Sequence, residues 1–299
     1  MRIEGRSPAE IADRYVDLGW PALRSIQLEG GALQITSEVG FSGRLGAITA
    51  TSSQKILTQG RQVEGFTAFH LLETGEAIDL GVPSDGACLT GYFSGGVVDF
   101  ITLGTFSGLF VQTARLQAHI EKAGAFRAAD AIGSTGSIRL NAADRETFLR
   151  FNRRIRAGGE VPEAQVLNFL TLAACEQGVD REFDPTNQDL MRELVELLHS
   201  RAQGEPLDVV DMASMLNSSR STLSARCTEA FGMGPKTLFQ RIRLEQCRHA
   251  LILEGGSIEK VARRYGFLNR GRFIRYYGEA FGEKPTETVG QLRLKLKRS

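Results

Sequence analysis

The chain is poor in the residues that build most active sites. It has four cysteines, four histidines and one tryptophan in 299 residues. Cys88, Cys175, Cys227 and Cys247 are scattered without a CxxC pair, which excludes a zinc ribbon or a disulfide framework and suits reduced thiols in a cytoplasm. His70, His119, His199 and His249 are isolated, so the His-x-His pair with a further carboxylate and histidine that an open metal site needs is missing. No catalytic residue, metal ligand or cofactor is therefore expected. There is no run of about 18 apolar residues and no basic start followed by an apolar stretch, so neither a membrane span nor a signal peptide is indicated. Net charge is nearly absent as well, at +1, but this conceals a division. From Arg201 onward there are 18 Lys plus Arg against 10 Asp plus Glu, whereas the first 200 residues carry 18 against 25. A basic last third points to nucleic acid, bound with a marked salt dependence because each neutralised phosphate releases counterions.

What the chain does have is a repeat. Glu-Ala-Phe-Gly-x-x-Pro occurs as Glu229 to Pro235 and again as Glu279 to Pro285, 50 positions later, which marks a duplicated supersecondary unit. Ahead of the first copy, Asp208 can cap a short helix in which Val209, Met212, Ala213 and Leu216 recur at helical spacing. Asn217 and Ser218 make a tight turn, and Ser219 can cap a second helix with the stripe Leu223, Cys227, Phe231. Ahead of the second copy, Ser257 caps Ile258, Val261, Ala262 and Tyr265; Gly266-Phe267 turns the chain; Asn269 caps a helix with the stripe Phe273, Tyr277, Phe281. The two helices stop at Gly232 and Gly282. A helix pair of this kind, its second helix free on one face, is the helix-turn-helix that enters a DNA major groove.

The stretch from about Asp208 to Val289 resembles the AraC/XylS-type transcription regulators. The resemblance lies in the paired units, in Arg243-Leu244-Glu245 of a linking helix spanning about Lys236 to Ile252, and in Ala262-x-x-x-Gly266-Phe267 followed by Phe273, Phe281-Gly282 and Pro285. The family usually has a larger apolar residue at Cys227 and often a long polar one at Ala225, so the first unit is expected to read bases less than the second. Candidate DNA contacts are Arg220, Ser221 and Ser224 in the first recognition helix and Arg270, Gly271, Arg272 and Arg275 in the second. Each arginine can either donate two hydrogen bonds to guanine or neutralise a phosphate. The resemblance implies double-stranded promoter DNA and RNA polymerase as partners, a homodimer, activation more often than repression, and a small-molecule effector.

The remaining two thirds reads as strands, then helices. Short runs at Ala32 to Thr36, Ala47 to Thr51, Thr67 to Glu73, Ala77 to Leu80, Ala87 to Tyr92 and Val97 to Leu103 are separated by Gly-rich turns, with a hairpin around Pro83 to Gly86. Regulators of the resembled family commonly place a cupin-like barrel here, able to hold one small ligand. Helices are expected from Asn141 to about Ala157, from Pro162 to about Glu176, and from Asn187 to Ala202. The last shows a stripe of Leu190, Leu194, Leu197 and Leu198 that packs on its own domain or forms a dimer interface. The fold class is thus α+β: an N-terminal cupin-like β-barrel with following helices, and an all-α domain of two helix-turn-helix units joined by a linking helix. The expected divisions are 1–203 for effector sensing and dimerisation (barrel about 30–135, helices about 141–202), a linker at 204–206, and a DNA-binding domain at 207–299.

One further cluster bears on the effector. Arg150 and Arg154 lie one helical turn apart with Arg153 beside them, and paired guanidinium groups can bridge phosphate oxygens and stack on a base. The spacing resembles the arginine motif of PilZ-type cyclic di-GMP receptors, although the second PilZ element, Asp or Asn followed by x-Ser-x-x-Gly, does not follow. The competing reading is a solvated face on which Glu146 pairs with Arg150. A sugar or other metabolite inside the barrel, or no ligand at all, are the alternatives to cyclic di-GMP. Two enzyme readings fail on composition. A methyl-accepting DNA-repair protein needs clustered cysteines where only Cys88 and Cys175 stand, and a metal cupin needs grouped histidines.

Overall fold

The computed structural model describes residues 1–17, 23–79, 82–84, 86–94, 96–125, 127–128, 137–177, 185–254 and 256–296. The chain forms two compact units. One comprises Met1–Gly5, Ile11–Arg24 and Ile35–Phe183; the other comprises Arg6–Glu10, Ser25–Gln34 and Asp184–Ser299. The α+β class holds, with the sheet in the first unit and the helix-turn-helix pair in the second.

The strands are β1 (Arg2–Gly5), β2 (Arg24–Gln27), β3 (Ile35–Ser42), β4 (Leu45–Arg61), β5 (Phe66–Asp79), β6 (Val82–Ser84), β7 (Cys88–Tyr92), β8 (Val97–Gln112) and β9 (Ser137–Arg139). In the first unit they run in the order β1-β3-β4-β8-β5-β7-β9, with β6 added to β5. The sequence reading missed β1, β2 and β9 and cut two long strands short, since Ala47 to Thr51 extends over all of β4 and Val97 to Leu103 over all of β8. The runs Thr67 to Glu73 and Ala77 to Leu80 are one strand, β5, whose alternation is broken by a bulge between Leu72 and Thr74. The strand expected at Ala32 begins at Ile35, and Ala32 to Gln34 belong to the second unit. The hairpin expected around Pro83 to Gly86 closes earlier, since Asp79 already pairs with Val82; Leu80, Gly81 and Asp85 lie outside the described residues.

The long central strands bend together at one level. Gly75 of β5 pairs with Gly104 of β8, and Gly104 pairs with Ser52 at the bulge of β4. Both glycines have positive φ, +96° and +106°, and a Cβ on either would collide with the carbonyl oxygen of Leu103 or Thr74 on the facing strand. Only glycine meets both conditions. The bend folds the sheet onto itself. Phe100 and the partner of His70 on β8, Gly108, are eight residues apart in sequence, on the order of 26 Å along a straight strand. The His70 and Phe100 rings nevertheless sit 5.4 Å apart. Tyr92 and Phe110, edge-on, and Phe106, tilted, complete an aromatic cluster around His70, with centroids at 4.9, 6.3 and 5.2 Å. The folded interior is thus lined by aromatic rings, and burial holds the His70 imidazole down to about 4, so it is neutral.

The opposite face follows the period of two. Phe69 and Leu71 of β5, Leu89 of β7 and Leu109 and Val111 of β8 join buried side chains of the helices Thr113–Ala123, Ala142–Arg156 and Glu163–Gln177. The first of these helices was not foreseen from the sequence; the other two were. Ala142–Arg156 is capped by Asn141, whose Oδ1 accepts the Asp144 N–H at 2.9 Å. Its place on the sheet is set by Gly40, where a Cβ would collide with the Arg156 backbone, and by Asn152. That buried amide donates to the Ile48 and Gly108 carbonyls, both at 2.8 Å, and its Oδ1 accepts Thr49 Oγ1 at 3.0 Å and Arg156 Nε at 2.7 Å. Four hydrogen bonds use every donor and acceptor the side chain has. Arg145, on the same helix, donates to the Gly86, Leu72 and Glu73 carbonyls and so supplies the β5 bulge with partners.

In the second unit the helices are Pro185–Ser200, Val209–Met215, Arg220–Phe231, Pro235–Leu253, Ile258–Arg264, Arg270–Phe281 and Pro285–Leu296. Pro185–Ser200 buries Met191, Leu194, Val195 and Leu198 and packs on Arg220–Phe231 and Pro235–Leu253. Of the expected stripe, Leu194 and Leu198 are buried within the second unit, whereas Leu190 and Leu197 are half-buried. Among the described residues, no helix is long and apolar enough to cross a membrane.

Removal of the Asn152 amide tests the join between helix and sheet. Asn152→Ala leaves several buried groups short of a partner and is expected to destabilise the first unit by about 2 to 4 kcal/mol, read as a lower urea midpoint. Arg150→Ala, on the exposed side of the same helix, is expected to shift it by less than about 0.5 kcal/mol.

Candidate nucleic-acid interface

The two helix-turn-helix units are built by matching local devices. Asp208 caps Val209–Met215 by accepting the Val210 and Asp211 N–H groups at 2.8 and 2.9 Å. Ser257 caps Ile258–Arg264 through the Lys260 N–H. Each first helix then ends in a left-handed residue, Asn217 at φ 49° and Gly266 at φ 76°. The next N–H reaches back to close the turn, Ser218 to the Ala213 carbonyl and Phe267 to the Ala262 carbonyl, both at 2.9 Å. Asn217 can take this conformation where most side chains resist it. Gly266 has a second reason: a Cβ there would collide with the Arg243 guanidinium. The first turn is one residue shorter, so the helices before it are offset by 49 positions and those after it by 50.

The recognition helices Arg220–Phe231 and Arg270–Phe281 have 12 residues each. Ser219 Oγ accepts the Thr222 N–H at 3.0 Å, and Asn269 Oδ1 accepts the Arg272 N–H at 2.9 Å. The buried stripes are those the spacing predicts: Leu223, Cys227 and Phe231 in the first, Phe273, Tyr277 and Phe281, with Ala280, in the second. Burial pushes the Cys227 and Cys247 thiols up to about 12, so both stay protonated as packing groups. The aromatic ladder of the second helix has centroid spacings of 5.5 and 4.7 Å, and Tyr277 hydrogen-bonds Thr288 Oγ1 at 2.8 Å.

Between them lies the linking helix Pro235–Leu253, with Leu238, Phe239, Ile242, Leu244, Cys247 and Leu251 buried. Arg243 is buried too. Its guanidinium lies over the Phe239 and Phe267 rings, at 5.1 and 6.0 Å, and donates to the Ala202 carbonyl at 2.9 Å and to the Gly204 carbonyl. Gly204, in the sequence expected for the linker, is thereby tied to the helix that joins the two helix-turn-helix units.

Of the expected contact residues, Arg220, Ser221, Gly271, Arg270, Arg272 and Arg275 are exposed and Ser224 is half-buried. Arg275 pairs loosely with Glu279 at 3.8 Å and stacks on Tyr276 at 5.1 Å. Ser221 Oγ shares a hydrogen bond with the capping Ser219, at 2.9 Å. The sequence reading passed over Ile274, an exposed apolar side chain among these arginines, 37% accessible. The effector candidates Arg150, Arg153 and Arg154 are all exposed on the helix Ala142–Arg156. Glu146 pairs with Arg153, two turns on, in place of the expected Arg150, which donates to Thr147 Oγ1 at 3.3 Å. Among the described residues no three His, Cys, Asp or Glu side chains come together to hold a metal.

Residues 212–291 match the family model described as a helix-turn-helix domain. The C-terminal unit carries an AraC-type helix-turn-helix domain. The chain is 30% identical over 108 residues to the probable thc operon regulatory protein of Rhodococcus erythropolis, covering 35% of this chain and 32% of that one. It is 30% identical over 102 residues to the HTH-type transcriptional regulator GbdR of Pseudomonas aeruginosa, covering 34% and 28%. The chain thus spans about a third of the length of the curated relatives it matches. Among solved structures, an AraC-type DNA-binding-domain regulator from Chromobacterium violaceum is 26% identical with a TM-score of 0.35, covering 36% of this chain and 96% of that one.

A second feature escaped the sequence reading. Ser25–Gln34 joins the AraC-type unit, where the Gln27 N–H donates to Glu245 Oε1 at 3.3 Å and the Gly31 N–H reaches the Glu279 and Ala280 carbonyls at 3.2 Å. Glu245 is buried on the linking helix. Its neighbour Arg248 is committed elsewhere, to Glu283 Oε1 and the Arg6 carbonyl, both at 2.8 Å. Burial pushes the Glu245 carboxyl up to about 7, against the pull of Arg248, the Gln27 N–H and Arg241. A carboxyl raised in the folded state binds a proton that the unfolded chain releases. Its stabilisation is full below the ordinary carboxyl value of 4.5 and is lost as pH rises through about 7. The urea midpoint of the helical unit, followed by far-ultraviolet circular dichroism, is expected to fall from about pH 5 to about pH 8, and Glu245→Gln to flatten that fall.

Proposed function

We propose that the chain is a sequence-specific DNA-binding transcriptional regulator acting on double-stranded promoter DNA. The observation that carries this reading is the pair of capped recognition helices on one buried linking helix, each with an outward face that the fold itself does not use. Such a pair can reach successive major grooves about 34 Å apart. The second helix brings Arg270, Gly271, Arg272 and Arg275 to the groove; the first brings Arg220, Ser221 and Ser224. Three candidate arginines against one make the second helix the stronger reader of guanine, and the net positive charge of the last third adds phosphate affinity. Activation through RNA polymerase and action as a homodimer belong to the same reading, on the strength of the family resemblance.

The effector belongs to the first unit. The exposed face of Arg150, Arg153 and Arg154 supports an anionic, planar ligand such as cyclic di-GMP, since guanidinium groups meet both the phosphates and the bases. The second reading places an uncharged metabolite in the ring-lined fold of the sheet, where neutral His70 and its aromatic neighbours offer no charge to a phosphate.

Two measurements separate these claims. In competition binding against a selected promoter, Arg272→Ala is expected to weaken or relax binding by about 1 to 3 kcal/mol; unchanged affinity and unchanged base preference would remove it from the interface. In calorimetric titration with cyclic di-GMP, Arg150→Ala and Arg154→Ala are expected to abolish a heat that the parent chain gives, with the circular dichroism spectrum preserved. Equal heats from all three would remove Arg150 and Arg154 from the effector site, and no heat from the parent chain would favour an uncharged metabolite in the folded sheet.

A further inference from the structure

Ile274 stands out on the second recognition helix. Among the described residues, it is the only large apolar side chain on either recognition helix that is exposed. Its neighbours on the helix surface explain the exposure. At i−3 and i+4 stand Gly271 and Gly278, which carry no side chain to cover it, at i−4 stands the exposed Arg270, and at i+3 Tyr277 is turned into the core. The fold makes no use of the glycines. A Cβ at Gly278 would meet nothing within 4 Å, and one at Gly271 would meet only Asn269 Oδ1 at an ordinary 3.5 Å. Neither has a left-handed φ. Gly278 lies in the interior of a helix, where glycine weakens the element without serving its packing.

We propose that Ile274 is a specificity-determining residue that reads thymine in the half-site of the second unit. The two glycines let the helix backbone come close enough to the groove floor for a branched four-carbon side chain to touch the base edge. In the major groove the thymine C5 methyl is the apolar group that a base edge presents, and an aliphatic side chain between arginines matches a thymine neighbouring guanines. At the aligned position the first helix has Ser224, half-buried, so the preference belongs to one half-site and makes the whole site asymmetric. This inference rests on the DNA-binding reading.

The test starts with selection of a binding site from a random duplex library by the full purified chain. Each thymine of the selected site is then replaced singly by uracil, which removes only the methyl group. For the parent chain, one or two thymines are expected to show about a four-fold loss of affinity, the effect of withdrawing one buried methyl. Ile274→Ala is expected to bind with the same affinity whether thymine or uracil stands there. Equal thymine-to-uracil ratios in the parent and Ile274→Ala would overturn the assignment, and Ile274→Val, which keeps the branched side chain, is expected to retain the discrimination. Gly278→Ala provides an independent reading: its thermal midpoint is expected to rise while its affinity falls, and an unchanged affinity would overturn the close approach. Failure of the library to enrich any sequence would overturn the DNA-binding reading, and the thymine assignment with it.

Discussion

Burial of the linking helix Pro235–Leu253 is the constraint on which the helical unit depends. Both recognition helices, the helices Ile258–Arg264 and Pro185–Ser200 and the final helix pack on it. It accordingly buries side chains round most of its circumference and shows little amphipathic segregation. Charged residues on such a helix have to be provided for. Arg243 is provided for by two aromatic faces and two carbonyls; Arg248 by Glu283, the Arg6 carbonyl and the Phe281 ring at 4.6 Å. Glu245 is provided for least well, with one long hydrogen bond from Gln27, and keeps its proton towards neutrality as a result. Because the helix is rigid and shared, the relative placement of the two recognition helices follows from its packing.

The first unit is organised by a different constraint, the matched bend of three long strands. Gly75, Gly104 and the β4 bulge lie at one level, so the sheet folds without breaking its pairing on either side. Folding encloses a patch of aromatic rings, and the reverse face receives the helices. The contact between sheet and helix is polar at its centre, where Asn152 is satisfied on all four of its hydrogen-bonding positions. A fully satisfied buried amide fixes the position of its helix more narrowly than an apolar side chain would, because its partners lie in fixed directions.

The recognition helices share a scaffold and differ in chemistry. Caps, turns and stripes repeat between the two units, while the outward faces have diverged, with serine, alanine and threonine beside Arg220 on one and three arginines, isoleucine and glycine on the other. The stripe must still fit the linking helix; the outward face has no partner within the fold. A duplicated unit can therefore acquire two different reading heads on one frame.

Much of the helical unit was legible in the chain itself. Asp208, Ser219, Ser257 and Asn269 cap the helices assigned to them, and the stripes at Leu223, Cys227, Phe231 and Phe273, Tyr277, Phe281 are buried, because caps and helical periodicity act over a few residues. The repeat and the charge of the last third were likewise plain from composition and spacing. Only the tertiary structure decided that Ala32 to Gln34 leave the sheet, that two short strands are one bent strand, and that Glu146 turns to Arg153. Gln27 and Glu245 meet across 218 positions of sequence, and Asn152 and Ile48 across 104. Such partners are chosen by how strands bend and helices pack, and no window of local sequence contains that information.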